Sequence, residues 1–236
     1  MPTRLSSLRY VIPNAISSAN IAAGFGSMLA AAADRFELAV YLLVLAVVLD
    51  MLDGLTARKL NATSCFGQQM DSLSDALSFG AAPAFLAFRA LLEPLGGWGI
   101  AVSVTYLLAA VFRLARFNLT TDAHVKDERT IGVPTPIGAG YVMAMVLMRD
   151  ELQPVVAATV TVTFAVLMVS RLRLPNLKGR NAITAMLLVG ICNYLVVVAH
   201  PTWTTVGWWN AWNLIILLAA RTHDRRLESA GSFAEQ

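Results

Sequence analysis

Four aspartates are set apart from the other acids of this sequence by their position. Asp50 and Asp53 are three residues apart and Asp71 and Asp75 four apart, so on helices each pair occupies one face. All four fall at or near the ends of strongly apolar stretches, where a carboxylate is costly unless it faces a cavity or a partner. The intervening stretch, Lys59–Gln69, allows a turn, so the two helices can run antiparallel and bring both pairs to one end of a bundle. Four carboxylates converging there would repel strongly unless cations neutralise them. All-oxygen ligation suits a hard divalent ion, Mg²⁺ or Mn²⁺, rather than Zn²⁺. Cys65 is the one thiol nearby, and it has no companion.

The neighbours of the aspartates extend this reading. Gly54, Ala57 and Gly67 leave open space or permit close backbone approach. Arg58 puts a phosphate-matching guanidinium within one turn of the acids. Carboxylates, a metal and an arginine at a membrane surface suggest phosphoryl chemistry on a lipid-soluble substrate. A structural alternative is that the acids pair with Arg58 and Lys59, or cap helices. The other acids do not compete for the role: Asp34, Glu37, Glu93, Asp150 and Glu151 fall at turns on the opposite side, and the rest in a loop and the C-terminal tail.

The elements that must position these residues follow from composition. Apolar residues make up 57% of the 236 and charged residues only 14%, with mean hydropathy +0.62. A soluble domain carries about 25% charge, so soluble, disordered, collagen-like and disulfide-stapled classes fall away, and a polytopic membrane protein remains. Cys65 and Cys192 are not expected to pair. A span takes roughly 20 apolar residues. Candidates lie near Tyr10–Ala33, Glu37–Ala57, Leu73–Leu92, Trp98–Phe117, Pro136–Met148, Pro154–Ser170, Ala182–Ala199 and Trp208–Ala220. The fifth and eighth are short, which leaves six to eight helices. The expected fold is therefore all-α: a transmembrane helix bundle of about eight helices, forming one domain over residues 1–221 with a disordered cytoplasmic tail at 222–236. The polar stretch Asn118–Thr135 reads as the longest internal loop.

Charge asymmetry orients the bundle. With Arg4 and Arg9 in the cytoplasm, only Arg35, Arg89 and Arg149 of the 18 Lys and Arg fall outside, as the excess of cytoplasmic bases requires. Both termini and the aspartate end would then be cytoplasmic. Trp203, Trp208, Trp209 and Trp212 fall on the outer side, where an aromatic belt forms. The first run, behind Arg4 and Arg9 and ending in the small residues of Leu29–Ala33, also imitates a cleaved signal peptide. Pro13, Asn14, Ser17, Ser18 and Asn20 suit such a peptide poorly.

The motif itself is recognisable. Asp50-Met51-Leu52-Asp53-Gly54-Leu55-Thr56-Ala57-Arg58, then Gly67, Asp71 and Asp75, resembles the signature of the CDP-alcohol phosphotransferases, with all eight defining positions filled at the right spacing. The resemblance implies an enzyme that displaces CMP from a CDP-linked lipid with an alcohol. Asp50, Asp53, Asp71 and Asp75 would be ligands of two divalent ions bridging the CDP diphosphate. Asp75 would also take the proton of the acceptor hydroxyl. Gly54 would lie against the cytidine beside Ala57 and Gly67, and Arg58 and Ser64 would hold the nucleotide or lipid phosphate. Asn14, Ser17 and Asn20 could contact the nucleotide from the first span, or bond to neighbouring helices.

Further segments are similar to the phosphatidylserine synthase branch of that family: Pro13–Asn20, Met70–Ala84, Arg113–Asn118 and Gly132–Pro136. One departure is Thr130, where the branch usually has Phe. The acceptor implied is L-serine, whose carboxylate calls for a cation near the metals. Arg113 and Arg116 share a helix face and could bind the serine carboxylate or the lipid phosphate; they could equally anchor the helix end by snorkelling. Pro134 and Pro136 would stiffen a loop at the mouth, or simply start a helix. Lys178 and Arg180 read as topology charges, and His124, His200 and His223 receive no role. The partners implied are CDP-diacylglycerol, L-serine and membrane lipids, in a homodimer, with no nucleic acid. Two alternatives remain open at this point: the same chemistry with glycerol phosphate, inositol phosphate, choline or an ether-linked lipid, and an ion-coupled transporter built on the acidic cluster.

Overall fold

The computed structural model describes residues 4–62, 64–122, 130–174 and 180–212. A bilayer offers backbone groups no water, so a chain that crosses it closes its hydrogen bonds within helices. The helices are α1 (Arg4–Ala32), α2 (Phe36–Lys59), α3 (Cys65–Asp75), α4 (Ala82–Ala87), α5 (Gly97–Asp122), α6 (Thr135–Leu147), α7 (Pro154–Val169) and α8 (Arg180–Ala199), and residues 203–212 are also helical. Four stretches are long and apolar enough to cross a membrane: Tyr10–Ala32, Phe36–Lys59, Cys65–Leu95 and Gly97–Leu119. Thr135–Leu147 and Pro154–Val169 are shorter apolar helices. The expected all-α transmembrane bundle is what forms. Among the described residues it is broken only by a two-residue antiparallel ladder of β1 (Thr130–Ile131) with β2 (Arg173–Leu174).

The third span departs from a regular α-helix. It runs unbroken from α3 through a π-helical turn at Ala76–Ala81, α4, a second π-helical turn at Phe88–Leu92 and a 3-10 turn at Glu93–Leu95. Pro83 accounts for the first: it has no N–H to give to the Phe79 carbonyl, and the Ala82 N–H reaches back to Leu77 O. Tyr106 Oη of α5 donates to that Phe79 carbonyl at 3.4 Å.

Side-chain bonds set the helix directions. Ser17 Oγ donates to Asp53 Oδ2 at 2.7 Å and Ser27 Oγ to Ala39 O at 2.9 Å, so α1 and α2 are antiparallel. Ser74 Oγ donates to Ser17 O at 3.4 Å and Ser78 Oγ to Asn20 O at 3.1 Å, so the third span runs parallel to α1. Gly24 makes this contact close: a Cβ there would collide with Ser78 Oγ and stand 3.0 Å from Ser78 Cα. The first apolar run is thus built into the bundle. Leu43, Phe79, Leu86, Tyr106, Met143 and Met168 fill the centre, while Phe25, Leu45, Trp98 and Phe112 stay exposed on the faces that hydrocarbon would cover.

At the end away from the aspartates, Arg89 pairs with Asp34 at 2.7 Å and Glu93 at 2.9 Å, and Arg149 with Glu37 at 2.8 Å. Several expectations need adjustment. Helix α5 continues to Asp122, so the stretch read as a loop from Asn118 begins as helix, and residues 123–129 lie outside the described residues. So do Lys178, residues 213–220 of the eighth run, and the tail at 222–236. Trp203 and Trp208 are exposed, as in a belt. Trp209 is instead buried, its ring centroid 4.6 Å from that of Tyr141 and 5.4 Å from that of Tyr194.

Candidate active site

Because α2 runs antiparallel to α3, Asp53 comes level with Asp71, and Asp50, one turn deeper, with Asp75. Asp50, Asp53 and Asp71 each offer one carboxylate oxygen, all within 4.8 Å of one another. Asp75 neighbours Asp50, and its Oδ1 is shut off from solvent without a hydrogen-bond partner. At an effective dielectric of about 20, two carboxylates about 5 Å apart repel by about 3 kcal/mol. Three held that closely call for a cation, and an oxygen-only donor set fits a hard divalent one. Among the described residues no ion pair joins Arg58 or Lys59 to these acids, so the alternative of simple pairing is not realised. Ser17 fixes the Asp53 carboxylate from α1, and both residues are only 4% exposed.

A cavity of about 240 Å³ opens on one side of the cluster. Asn14 and Ser17 of α1 form one wall, Gly54, Ala57 and Arg58 of α2 a second, and Ser64 and Gly67 at the start of α3 a third; Asp53 and Asp71 also line it. Ser64 is the N-cap of α3, where its Oγ accepts from the Gly67 N–H at 3.0 Å. That bond does not use the hydroxyl proton. The positive end of the α3 dipole, the Ser64 hydroxyl and the Arg58 guanidinium therefore meet at one cavity, an arrangement that favours phosphate. A Cβ at Gly54 would touch only the Arg58 guanidinium nitrogens, at 3.9 and 4.0 Å. The space beside Gly54 belongs to the cavity, not to packing.

A second cavity, of about 370 Å³, lies between α3, α5 and the start of α6, and it shares Gln68 and Asp71 with the first. Asp75, Arg113, Pro134 and Pro136 line it. Arg113 is 8% exposed, its Nε has no partner, and Asp75 is close enough for its charge to act on the guanidinium. Pro134 caps α6 and Pro136 lies in its first turn, so the prolines start a helix, and both line this cavity. Gln68 and Gln69 also line it, as do Ser72, Asn118 and Thr135, which lie within the segments similar to the phosphatidylserine synthase branch. Asn118 Nδ2 donates to Ser72 Oγ at 3.0 Å across the cavity wall. Thr135 is fully buried, and its Oγ1 has no partner.

Two residues singled out from the sequence stand elsewhere. Arg116 faces the end of α7, where its guanidinium donates to Val169 O at 3.0 Å, Ser170 O at 3.2 Å and Met168 O at 3.3 Å. It holds carbonyls that a helix C-terminus leaves open. Gly132 passes through the same junction with φ +76°, and a Cβ there would strike Met168 O and stand 2.9 Å from Arg116 Nη2, so only glycine fits. Thr130, in place of the usual Phe, pairs with Leu174 in the ladder. Asn20 is fully buried beyond both cavities, its side-chain nitrogen and oxygen without partners. Cys65 and Cys192 are exposed and unpaired.

Comparison with known proteins agrees with this geometry. The family model for CDP-alcohol phosphatidyltransferase matches residues 10–170, which take in both cavities. Among curated relatives, the CDP-diacylglycerol–serine O-phosphatidyltransferase of Helicobacter pylori is 36% identical over 175 residues, covering 72% of this chain and 73% of its own. The protein of the same name from Bacillus subtilis is 32% identical over 171 residues, covering 72% of this chain and 93% of its own. The archaetidylserine synthase of Methanothermobacter thermautotrophicus is 34% identical over 178 residues, covering 74% and 73%. A match that spans every aspartate of the cluster and four membrane-length helices leaves one assignment: this integral membrane protein belongs to the CDP-alcohol phosphatidyltransferase family.

Proposed function

We propose that this protein transfers the phosphatidyl group of CDP-diacylglycerol to the hydroxyl of L-serine, giving phosphatidylserine and CMP. One observation carries the reading: two cavities of different chemistry meet at one aspartate cluster, with Asp71 in the wall of both. The first suits a nucleotide diphosphate and the second a small acceptor carrying an anion. The relatives named above act on serine by their names, which supports that acceptor.

In this reading Asp50, Asp53, Asp71 and Asp75 hold divalent ions, Mg²⁺ or Mn²⁺, two in number. When bound, the ions neutralise the diphosphate and the charge of departing CMP. Arg58 and Ser64 hold phosphate oxygens, the space at Gly54 and Ala57 accepts the cytidine, and Gly67 leaves room beside the Ser64 hydroxyl, 3.2 Å from where a Cβ would stand. Arg113 binds the serine carboxylate. Asp75 takes the proton of the serine hydroxyl. The serine oxygen bonds to the lipid-bearing phosphorus, the bond from that phosphorus to the bridging oxygen breaks, and CMP departs with the electron pair. The bias of bases toward the aspartate end supports a cytoplasmic active site with both termini on that side, residues 1–221 acting as one domain. The family resemblance further implies a homodimer.

The test supplies purified protein in detergent with CDP-diacylglycerol, a divalent metal and each candidate alcohol, and measures CMP release. Release with L-serine, lost on chelation and restored by Mg²⁺ or Mn²⁺, is the expected result. Release with glycerol phosphate, inositol phosphate or choline, and none with serine, would overturn it. The 34% identity to an archaetidylserine synthase favours a second donor class, so a CDP-linked ether lipid belongs in the same assay.

A further inference from the structure

Three residues that line the second cavity each carry a buried polar atom without a partner: Asp75 Oδ1, Arg113 Nε and Thr135 Oγ1. Leaving such atoms unpaired is costly, so their concentration around one space marks where a ligand supplies the missing partners. Their chemistry sorts them. Asp75 accepts and faces the reacting hydroxyl. Arg113 Nε can only donate, whereas a threonine hydroxyl can do either.

The surroundings of Thr135 decide which. It sits in the first turn of the 13-residue helix α6, between Pro134 and Pro136. That turn is the positive end of the α6 dipole, and the Arg113 guanidinium lines the same cavity. Both fields repel an ammonium group and attract an anion. Neither proline has an N–H, so this helix start lacks two of its usual backbone donors, and the Thr135 hydroxyl is a donor standing in their place.

We propose that Thr135 is a binding residue for the carboxylate of the acceptor, its hydroxyl donating to one carboxylate oxygen while Arg113 serves the other. This rests on L-serine as the acceptor and deepens that reading, since it locates a source of selectivity. An amino alcohol without a carboxylate leaves both donors buried and unsatisfied, the kind of mismatch that discriminates strongly between substrates. A lipid phosphate offers similar oxyanion chemistry, and the experiment separates the two.

The test compares Thr135→Val, which removes the hydroxyl and little else, with Thr135→Ser, which keeps it. Steady-state CMP release is measured with L-serine and CDP-diacylglycerol varied in turn. The expected result for the valine variant is a KM for L-serine raised about 10-fold or more, the loss typical of a hydrogen bond to a charged group. Its kcat should stay within about twofold, its KM for CDP-diacylglycerol should be unchanged, and the serine variant should recover most of the loss. L-serine methyl ester, which lacks the carboxylate charge, should be affected much less by the same substitution. An unchanged KM for L-serine overturns the proposal. So does a rise confined to CDP-diacylglycerol, which would give the hydroxyl to the lipid phosphate, or a serine variant as impaired as the valine one. Thr135→Ala repeats the comparison with a smaller side chain, so misfolding of the valine variant does not decide it. If the wild-type protein is silent with L-serine and active with another alcohol, the acceptor reading itself fails, an outcome distinct from all of these.

Discussion

Ser17→Ala would delete the hydrogen bond that Ser17 Oγ donates to Asp53 Oδ2, 2.7 Å long and formed between two residues each 4% exposed. A neutral hydroxyl donating to a buried carboxylate contributes about 1.5–3 kcal/mol. The helix itself loses nothing, since alanine is the best helix former and the missing oxygen leaves little space. The cost falls on Asp53, which is left free to rotate away from Asp50 and Asp71. At about 1.4 kcal/mol per tenfold, the divalent-ion concentration for half-maximal CMP release should rise about 10- to 150-fold. Loss of an outer partner to a metal ligand typically costs about 10- to 100-fold in affinity, a consistent range. Turnover at saturating metal should change little. The assay is a Mg²⁺ or Mn²⁺ titration at fixed CDP-diacylglycerol and L-serine, with Ser18→Ala as control. Ser18 is exposed and bonds to the Asn14 carbonyl at 2.8 Å, away from the aspartates. An unmoved midpoint in a folded Ser17→Ala protein, or an equal shift in the control, would refute the reasoning.

Three more perturbations probe other parts of the site. Asp75→Asn keeps the shape of the side chain but cannot take a proton, so turnover should vanish while CDP-diacylglycerol binding largely survives; full activity would remove Asp75 from the role of base. Gly54→Val should weaken CDP-diacylglycerol binding with little effect on folding, because the new side chain meets only Arg58 nitrogens at 3.9–4.0 Å before entering the cavity; a normal KM for the nucleotide lipid would count against that placement. Gly24→Val acts in the opposite way: with Ser78 Cα 3.0 Å from the new Cβ, overpacking should cost about 1–3 kcal/mol and lower the thermal midpoint in detergent. An unshifted midpoint there would show that α1 and the third span can part without loss.

The aspartate quartet was legible because helical spacing and antiparallel packing are local rules, and two pairs at three and four residues obey both. That Gly54, Ala57, Arg58, Ser64 and Gly67 would gather around one space beside the acids was legible for the same reason, since they fall close to those pairs on α2 or at the start of α3. What escaped depends on contacts distant in sequence. Arg116 looks like a companion of Arg113 on its own helix, but its partners are carbonyls on α7, and no spacing within α5 announces them. Asn20 shares a polar stripe with Asn14 and Ser17, yet six residues along an α-helix is a descent of about 9 Å, which carries it past the cavity. Thr135 and Asn118 lie in segments similar to the phosphatidylserine synthase branch, but nothing within those segments marks them as cavity residues, and only the approach of α5 to α6 gives them a common space. The π-helical turns were hidden because Pro83 in an apolar run signals a defect but not how the backbone absorbs it.

The ladder of Thr130 and Ile131 with Leu174 and Arg173, reinforced by Gly132 N–H to Leu172 O at 2.8 Å and by the grip of Arg116 on α7, closes the α6–α7 hairpin into a ring at its base. Such a ring tolerates change very unevenly around its circumference. Adding about five residues to a loop of about 45 at its far side, beyond Met148, costs only about 0.1 kcal/mol in closure entropy. A one-residue slip at the clasp would instead exchange the faces of the paired residues and pull Pro134–Pro136 out of the wall of the second cavity. The second cavity, the acceptor pocket proposed above, is thereby insulated from length variation beyond Met148, where insertions can accumulate without reshaping its wall.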